Sequence, residues 1–102
     1  KGMYVLNKVS FPDKIKLYPA YPNPFNPTTT ITFDVPMNIE SSLVSLSIYD
    51  LRGRQVSVII NSYLNPGVYS YQWSVSQFSS GMYIAKLRID SKQETQKIIL
   101  LK

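Results

Sequence analysis

Histidine and cysteine are both missing from this 102-residue chain, and the two absences narrow its chemistry at once. Without histidine there is no ordinary general base, no proton shuttle near neutral pH and no imidazole for zinc. The abundant serines therefore have no partner for a Ser-His-Asp relay. Without cysteine there are no disulfides, no thiolate nucleophile and no thiolate metal ligand, so a folded chain must stand on its core alone. Glycine is scarce, with four residues, each beside a turn or the chain start. None of them builds a phosphate-cradling loop. No apolar run approaches the roughly 18 residues that a membrane span needs. No signal peptide is visible, and Lys1 opens the chain in place of an initiator Met, which reads as a fragment or a processed product.

The acidic side chains are few as well: Asp13, Asp34, Glu40, Asp50, Asp90 and Glu94. A glycosidase needs two carboxylates facing each other across a cleft, and a calcium loop needs clustered oxygen ligands. Neither pattern occurs. Asp50 reads as a turn residue, and Asp34 and Glu94 as members of solvent-facing strand positions. The expectation is therefore no catalytic residue, no metal and no cofactor. The 11 Lys and Arg give a net charge of +5, spread along the chain from Lys1 to Lys102 without a dense basic block. Such dispersion serves solubility and does not resemble a nucleic-acid tract.

What the sequence does contain is strand signal. A hydrophobic share of 44% is enough for one core in a chain of this length. Thr29–Val35 alternates, with Ile31, Phe33 and Val35 on one face and Thr30, Thr32 and Asp34 on the other, until Pro36 ends it. Leu43–Asp50 repeats the pattern, with Val44, Leu46 and Ile48 inward and Ser45, Ser47 and Tyr49 outward. Asp50-Leu51-Arg52-Gly53-Arg54 then reads as a tight hairpin turn. The Asp50 carboxylate bonds the amide two residues on, and Gly53 takes the positive φ. Gln55–Tyr63 returns with Val56, Val58 and Ile60 on one face.

Asn65-Pro66-Gly67 reads as a type II turn, with Pro66 fixing φ and Gly67 at the position that requires φ > 0. A strand with Tyr69, Tyr71 and Trp73 on one parity follows. After Ser79-Ser80-Gly81, Met82–Asp90 carries Tyr83, Ala85, Leu87 and Ile89 on one face and Lys86 and Arg88 on the other. A turn near Ser91-Lys92-Gln93 leads to a last strand from about Glu94 to Leu101. With a short strand near Ile15–Tyr18 the total is about seven, the signature of an antiparallel, immunoglobulin-like all-β sandwich. Residues 15–102 form that domain. Residues 1–14 read as a linker or the tail of a preceding domain, although Met3–Leu6 has the composition for an extra strand. No internal repeat stands out.

Three stretches invite a functional reading. Tyr21-Pro22-Asn23-Pro24-Phe25-Asn26-Pro27 is a stiff loop: the prolines fix φ, Asn23 and Asn26 favour Asx turns, and Phe25 is an apolar anchor. It serves as a structural crossover or, alternatively, as a ligand loop. Trp73 with Tyr69 and Tyr71 is either core or a sugar-stacking platform. The end, Lys97-Ile98-Ile99-Leu100-Leu101-Lys102, is the last strand of the sandwich. It is also a basic-apolar-basic handle that a partner could take by strand addition or by reading its charges.

Taken together these motifs resemble a known family. The ordered set is Tyr21-Pro22-Asn23-Pro24-Phe25-Asn26-Pro27-Thr28-Thr29-Thr30-Ile31, Val44-x-Leu46-x-Ile48-Tyr49-Asp50-Leu51-x-Gly53-Arg54, Pro66-Gly67-Val68-Tyr69 with Trp73, Ser80-Gly81-Met82-Tyr83, and Lys97 to Lys102. It is similar to the type A C-terminal sorting domain of cargo proteins of the type IX secretion system, a pattern shared with the Ig-like domain of the flagellar hook-capping protein. Ser74-Val75 departs from the Asp-Gly pair that follows the Trp in many relatives.

The resemblance implies a non-catalytic signal at the end of a larger secreted protein. It carries an upstream passenger domain through the periplasm and the outer-membrane type IX translocon to the cell surface or beyond. It implies a surface sortase-like peptidase and anionic lipopolysaccharide as further partners. By motif, Gly81, Tyr83, Lys97 and Lys102, with Ile98, Ile99, Leu100 and Leu101 between the lysines, fall to translocon recognition. A passive Ig-like spacer and a carbohydrate-binding accessory module are the competing readings.

Overall fold

A computed structural model describes residues 14–25, 27–37, 42–74 and 78–101. The expectations for Met3–Leu6 and the linker up to residue 13, for Asn26, for Val75 and for Lys102 lie outside these residues. The described chain holds β1 (Lys16–Leu17), β2 (Thr28–Val35), β3 (Ser42–Tyr49), β4 (Gln55–Leu64), β5 (Gly67–Ser74), β6 (Gly81–Ile89) and β7 (Lys92–Leu100). They form two antiparallel sheets, one in the order β1-β2-β5 and the other β4-β3-β6-β7. The chain changes sheet after β2, after β4 and after β5, so the layers are laced together rather than folded one after the other.

Alternation explains the layers. Every second residue of β2 from Thr29 to Val35 is buried, as are Val44, Leu46 and Ile48 of β3 and Tyr83, Ala85, Leu87 and Ile89 of β6. These faces meet in one core that also takes Leu17, Phe25, Trp73, Ile98 and Leu100. Each fully buried aliphatic or phenyl group contributes about 1.5–3 kcal/mol by leaving water, which is how a chain without disulfides holds together. The sandwich expected from the strand spacing is the fold observed.

Several details differ from the alternation. Asp34, expected outward, is 8% exposed because the short β1 and the Tyr18 that follows it cover that end of β2. Ser47, also expected outward, is 3% exposed in the central strand β3. On β4 the face assignment slips. Pairing with β3 shifts register between Leu46 and Ser47 and again between Ile48 and Tyr49, leaving Ile59 and Val56 as extra residues on β4. Each bulge moves the next side chain to the opposite face. Val58 is therefore 52% exposed, while Val56, Ile59, Ile60 and Leu64 pack partly against the core.

The turns are partly as read. Asp50 Oδ1 accepts the amides of Arg52 and Arg54, both at 2.9 Å, and Gly53 has φ 85°. Gly67, by contrast, has φ 153°, far from the roughly +80° of a type II turn. It already belongs to β5, because Asn65 and Pro66 alone carry the chain from one sheet to the other.

Candidate functional site: the clamped last strand

β7 is the outermost strand of its sheet, and an outermost strand normally presents a row of unpaired amides and carbonyls. Here the proline-rich loop fills that row. Tyr21 is tied to Thr30 in both directions, its N–H donating at 3.0 Å and its carbonyl accepting at 2.9 Å. Tyr21-Pro22 and Asn23-Pro24 are both cis, and the Thr29 hydroxyl donates to the Pro22 carbonyl at 2.7 Å. So placed, the Asn23 side chain works as a piece of strand. Its Nδ2 donates to the Lys97 carbonyl at 3.0 Å and its Oδ1 accepts the Ile99 amide at 2.9 Å. Phe25 continues the ladder: its amide donates to the Ile99 carbonyl at 2.9 Å and its carbonyl accepts from Leu101 at 3.0 Å.

The other half of the same edge is held by side chains of β7 itself. Glu94 Oε1 accepts the Leu17 amide at 2.8 Å, and Gln96 Nε2 donates to the Leu17 carbonyl at 3.0 Å. The loop joins β1 to β2 and ties β7 to them, and Phe25 is anchored at 2% exposure. Asn23, however, reaches across the chain to β7 instead of closing a local Asx turn. Strand addition to this edge between Lys97 and Leu101 would have to displace the clamp.

The residues assigned by motif converge on this strand. Opposite the clamp, β7 pairs with β6 in the register Gly81↔Leu100, Met82↔Ile99 and Tyr83↔Ile98. Ile98 and Leu100 are fully buried, Ile99 is half-buried, Leu101 is 54% exposed and Lys97 is exposed. Tyr83 is buried in an aromatic cluster. Trp73 lies 5.5 Å from Phe25, 5.8 Å from Phe78 and 5.6 Å from Tyr83, between ring centroids. Trp73 is 4% exposed, and Tyr69 and Tyr71 stack on Phe33 inside the sandwich. Trp73 is thus a core ring, as expected, and Tyr69 and Tyr71 are partly buried against the core.

Lys97 shares the outer face of the four-stranded sheet with Lys86 and Arg88, by alternation along β6 and the pairing Ile84↔Lys97. Lys86 lies over the Tyr49 ring at 4.7 Å, and Arg88 donates to Gln93 at 3.2 Å.

Two features escaped the sequence reading. Tyr69 donates its hydroxyl to the Asn65 carbonyl and Tyr83 donates to the Ser79 carbonyl, both at 2.7 Å. Each Tyr sits two residues after a glycine that opens a strand, with φ 153° at Gly67 and 156° at Gly81. These are paired tyrosine corners, the device that fixes strand entry in Ig-like sandwiches. The Gly-x-Tyr recurrence was visible as Gly67-Val68-Tyr69 and Gly81-Met82-Tyr83 and is a short internal repeat. The second feature is Tyr18, whose hydroxyl donates to Asp34 Oδ2 at 2.7 Å. That bond, with some burial and the charge of Asp34, raises the Tyr18 phenol above its ordinary value. Asp50 moves the other way. The Arg54 amide chiefly, then the Arg54 guanidinium at 2.9 Å and the Arg52 amide, hold its carboxyl below the usual range.

Comparison with known proteins points the same way as the motifs. No curated protein and no solved structure matches the chain. The secretion system C-terminal sorting domain matches residues 19–101. Sorting domains of this kind are the signals of type IX secretion and mark proteins that are exported to the cell surface or released. The matched stretch runs from the head of the proline-rich loop to the end of β7, taking in every strand except β1, and on that ground the chain belongs to the secretion system C-terminal sorting domain family.

Proposed function

We propose that the domain is a non-catalytic address, read by the type IX translocon at the outward side of β7 while an upstream passenger is carried with it. The observation that supports this is the double hold on β7, by β6 on one edge and by the Asn23–Phe25 clamp on the other. A strand held on both edges presents its outward side chains in one fixed arrangement. Gly81, Lys97 and Leu101 are the exposed members of the motif, with Lys102 following in sequence. Tyr83, Ile98 and Leu100 act beneath them, setting the strand's position, and Ile99 lies at the margin. Recognition by charge fits this presentation better than strand addition does. After translocation, a surface sortase-like peptidase removes the domain and the passenger passes to anionic lipopolysaccharide.

Removing Lys97–Lys102 outright is a poor test, because it also removes two fully buried side chains from the core. The sharper experiment is Lys97→Glu with Lys102→Glu on a passenger-bearing protein. The expected result is passenger retained in the periplasm by a domain whose melting is unchanged. Undiminished surface display would overturn recognition by charge at this strand and favour a passive spacer.

A further inference from the structure

Cations that look dispersed along the sequence gather in space. Lys86 and Arg88 of β6 and Lys97 of β7 share the outer face of the four-stranded sheet. Across the β6–β7 pair Lys86 stands diagonal to Lys97, a separation of about 7–8 Å. Along its own strand it is about 6.5–7 Å from Arg88. No carboxylate among the described residues shares this face. Asp34 belongs to the other sheet, Glu94 is turned onto the Leu17 amide, Asp50 is bonded to Arg54, and Asp90 lies in the turn beyond β6. Lys86 and Arg88 rest instead on neutral partners, the Tyr49 ring and the Gln93 side chain. Solubility alone would be served as well by spreading the three charges apart.

The other half of the same face is apolar. Val58 stands opposite Ser47, and Tyr63 opposite Leu43, on the side of the sheet away from the core. Leu43, Val58 and Tyr63 are 46%, 52% and 67% exposed. The outer face of the three-stranded sheet is built differently. Thr30, Thr32, Ser70 and Gln72 line it, and Lys16 sits opposite Asp34, one charge of each sign.

We infer that the outer face of the four-stranded sheet docks on an anionic lipid bilayer. Lys86, Arg88 and Lys97 meet the phosphate headgroups, and Leu43, Val58 and Tyr63 enter the interfacial layer. The single sign of the charges selects an anionic partner, and the apolar half selects a bilayer. Ser45 and Asn61 separate Val58 from the Leu43–Tyr63 pair, so the face has no central apolar anchor of the kind a protein interface is built on. A fluid interface accepts scattered apolar side chains, and tyrosine is at home there. With three cations the attachment is weak and is screened by salt. It stands apart from the translocon reading, because Lys86 and Arg88 lie outside the terminal motif, and either can fail without the other.

Co-sedimentation of the chain with phosphatidylglycerol–phosphatidylcholine vesicles at low salt tests the inference, with pure phosphatidylcholine vesicles as reference. Lys86→Gln with Arg88→Gln is expected to lower partitioning about 30-fold, at about fivefold for each cation near an anionic surface. Lys14→Gln with Lys16→Gln removes the same charge elsewhere and should leave partitioning nearly unchanged. Val58→Ser with Tyr63→Ser should lower it about tenfold and leave binding to soluble heparin as it was. Thermal melting checks that each variant is folded. Equal losses from the two cation pairs would overturn the inference in favour of net charge alone. Indifference to Val58→Ser with Tyr63→Ser would overturn it in favour of a soluble polyanion or an acidic protein. Absence of binding to the anionic vesicles would overturn it outright.

Discussion

The two flanks of this sandwich are finished in opposite ways. Where β1 and β7 approach each other, backbone groups are satisfied by Asn23, Phe25, Glu94 and Gln96, and Ile98 and Leu100 are sealed completely. Where β4 and β5 approach each other, just two residues join the sheets, β4 has no buried side chain, and Trp73 is the one buried side chain of β5. The difference shows where the chain places its order. The flank that holds the terminal motif is overdetermined by polar bonds between residues more than 70 positions apart. The flank without the motif relies on loosely covered apolar contact.

The strongest way to break that comparison is a pair of matched truncations. Leu100→Ala empties a fully buried site on the clamped flank and should cost about 2–5 kcal/mol. Leu64→Ala on the open flank deletes the same atoms from a half-covered site and should cost about 1 kcal/mol. Urea unfolding of the two variants measures both. Equal losses would show that the flanks do not differ in packing.

The clamp itself is the next target. Asn23→Ala deletes two hydrogen bonds to β7, each with a net contribution of about 0.5–1.5 kcal/mol. A loss of about 1–3 kcal/mol is expected. Hydrogen exchange should quicken at the Ile99 amide and stay unchanged along β4. A uniform change across the chain would mean that the loop steadies the whole fold and not this strand in particular.

The two flanks were also unequally legible in the sequence. Strand count, the Asp50 turn and the buried faces of β2, β3 and β6 follow from period-two alternation, which is a local property. The clamp does not. Nothing local tells Asn23 to bond to residues 97 and 99, because its amide mimics a strand only once the fold brings β7 beside it. Asp34 was misread for a related reason: its burial comes from β1, two residues long and too short to leave a pattern, and from the Tyr18 that follows it. On β4 the alternation was present but misleading, since Val56-x-Val58-x-Ile60 takes no account of two bulges. The terminal motif was legible as a string, and only the structure separates its buried members from its exposed ones.

The paired tyrosine corners give a smaller and more discriminating comparison. Tyr83→Phe and Tyr69→Phe each remove one 2.7 Å bond to a carbonyl four residues back. Each should cost about 0.5–1.5 kcal/mol. The Tyr83 bond is the more enclosed, so the Ser79 carbonyl is less readily rehydrated and Tyr83→Phe should lie at the upper end. Thermal melting resolves the order. A larger loss at Tyr69 would mean that strand entry on the open flank carries more of the fold than its exposure suggests.

Titration offers the mildest probe and separates the flanks by sign. Asp50 sits in the turn that leads into the open-edge strand β4, and its folded pKa lies below the ordinary 3.8, chiefly through the Arg54 amide. Its contribution is therefore complete above the unfolded pKa and is lost as pH falls through the lowered folded value. Asp50→Asn should melt below the parent at neutral pH, and the two curves should converge in acid. Tyr18, on the clamped flank, has a folded pKa above the ordinary 10.0, chiefly through its bond to Asp34. Its contribution is complete below the unfolded value and is lost as pH rises through the raised folded one. Tyr18→Phe should therefore differ from the parent at neutral pH and converge with it in base. Melting curves from acid to alkaline pH test both: convergence at the wrong end for either variant would contradict the assigned bond, and the predicted pattern would have the open flank loosen in acid and the clamped flank in alkali.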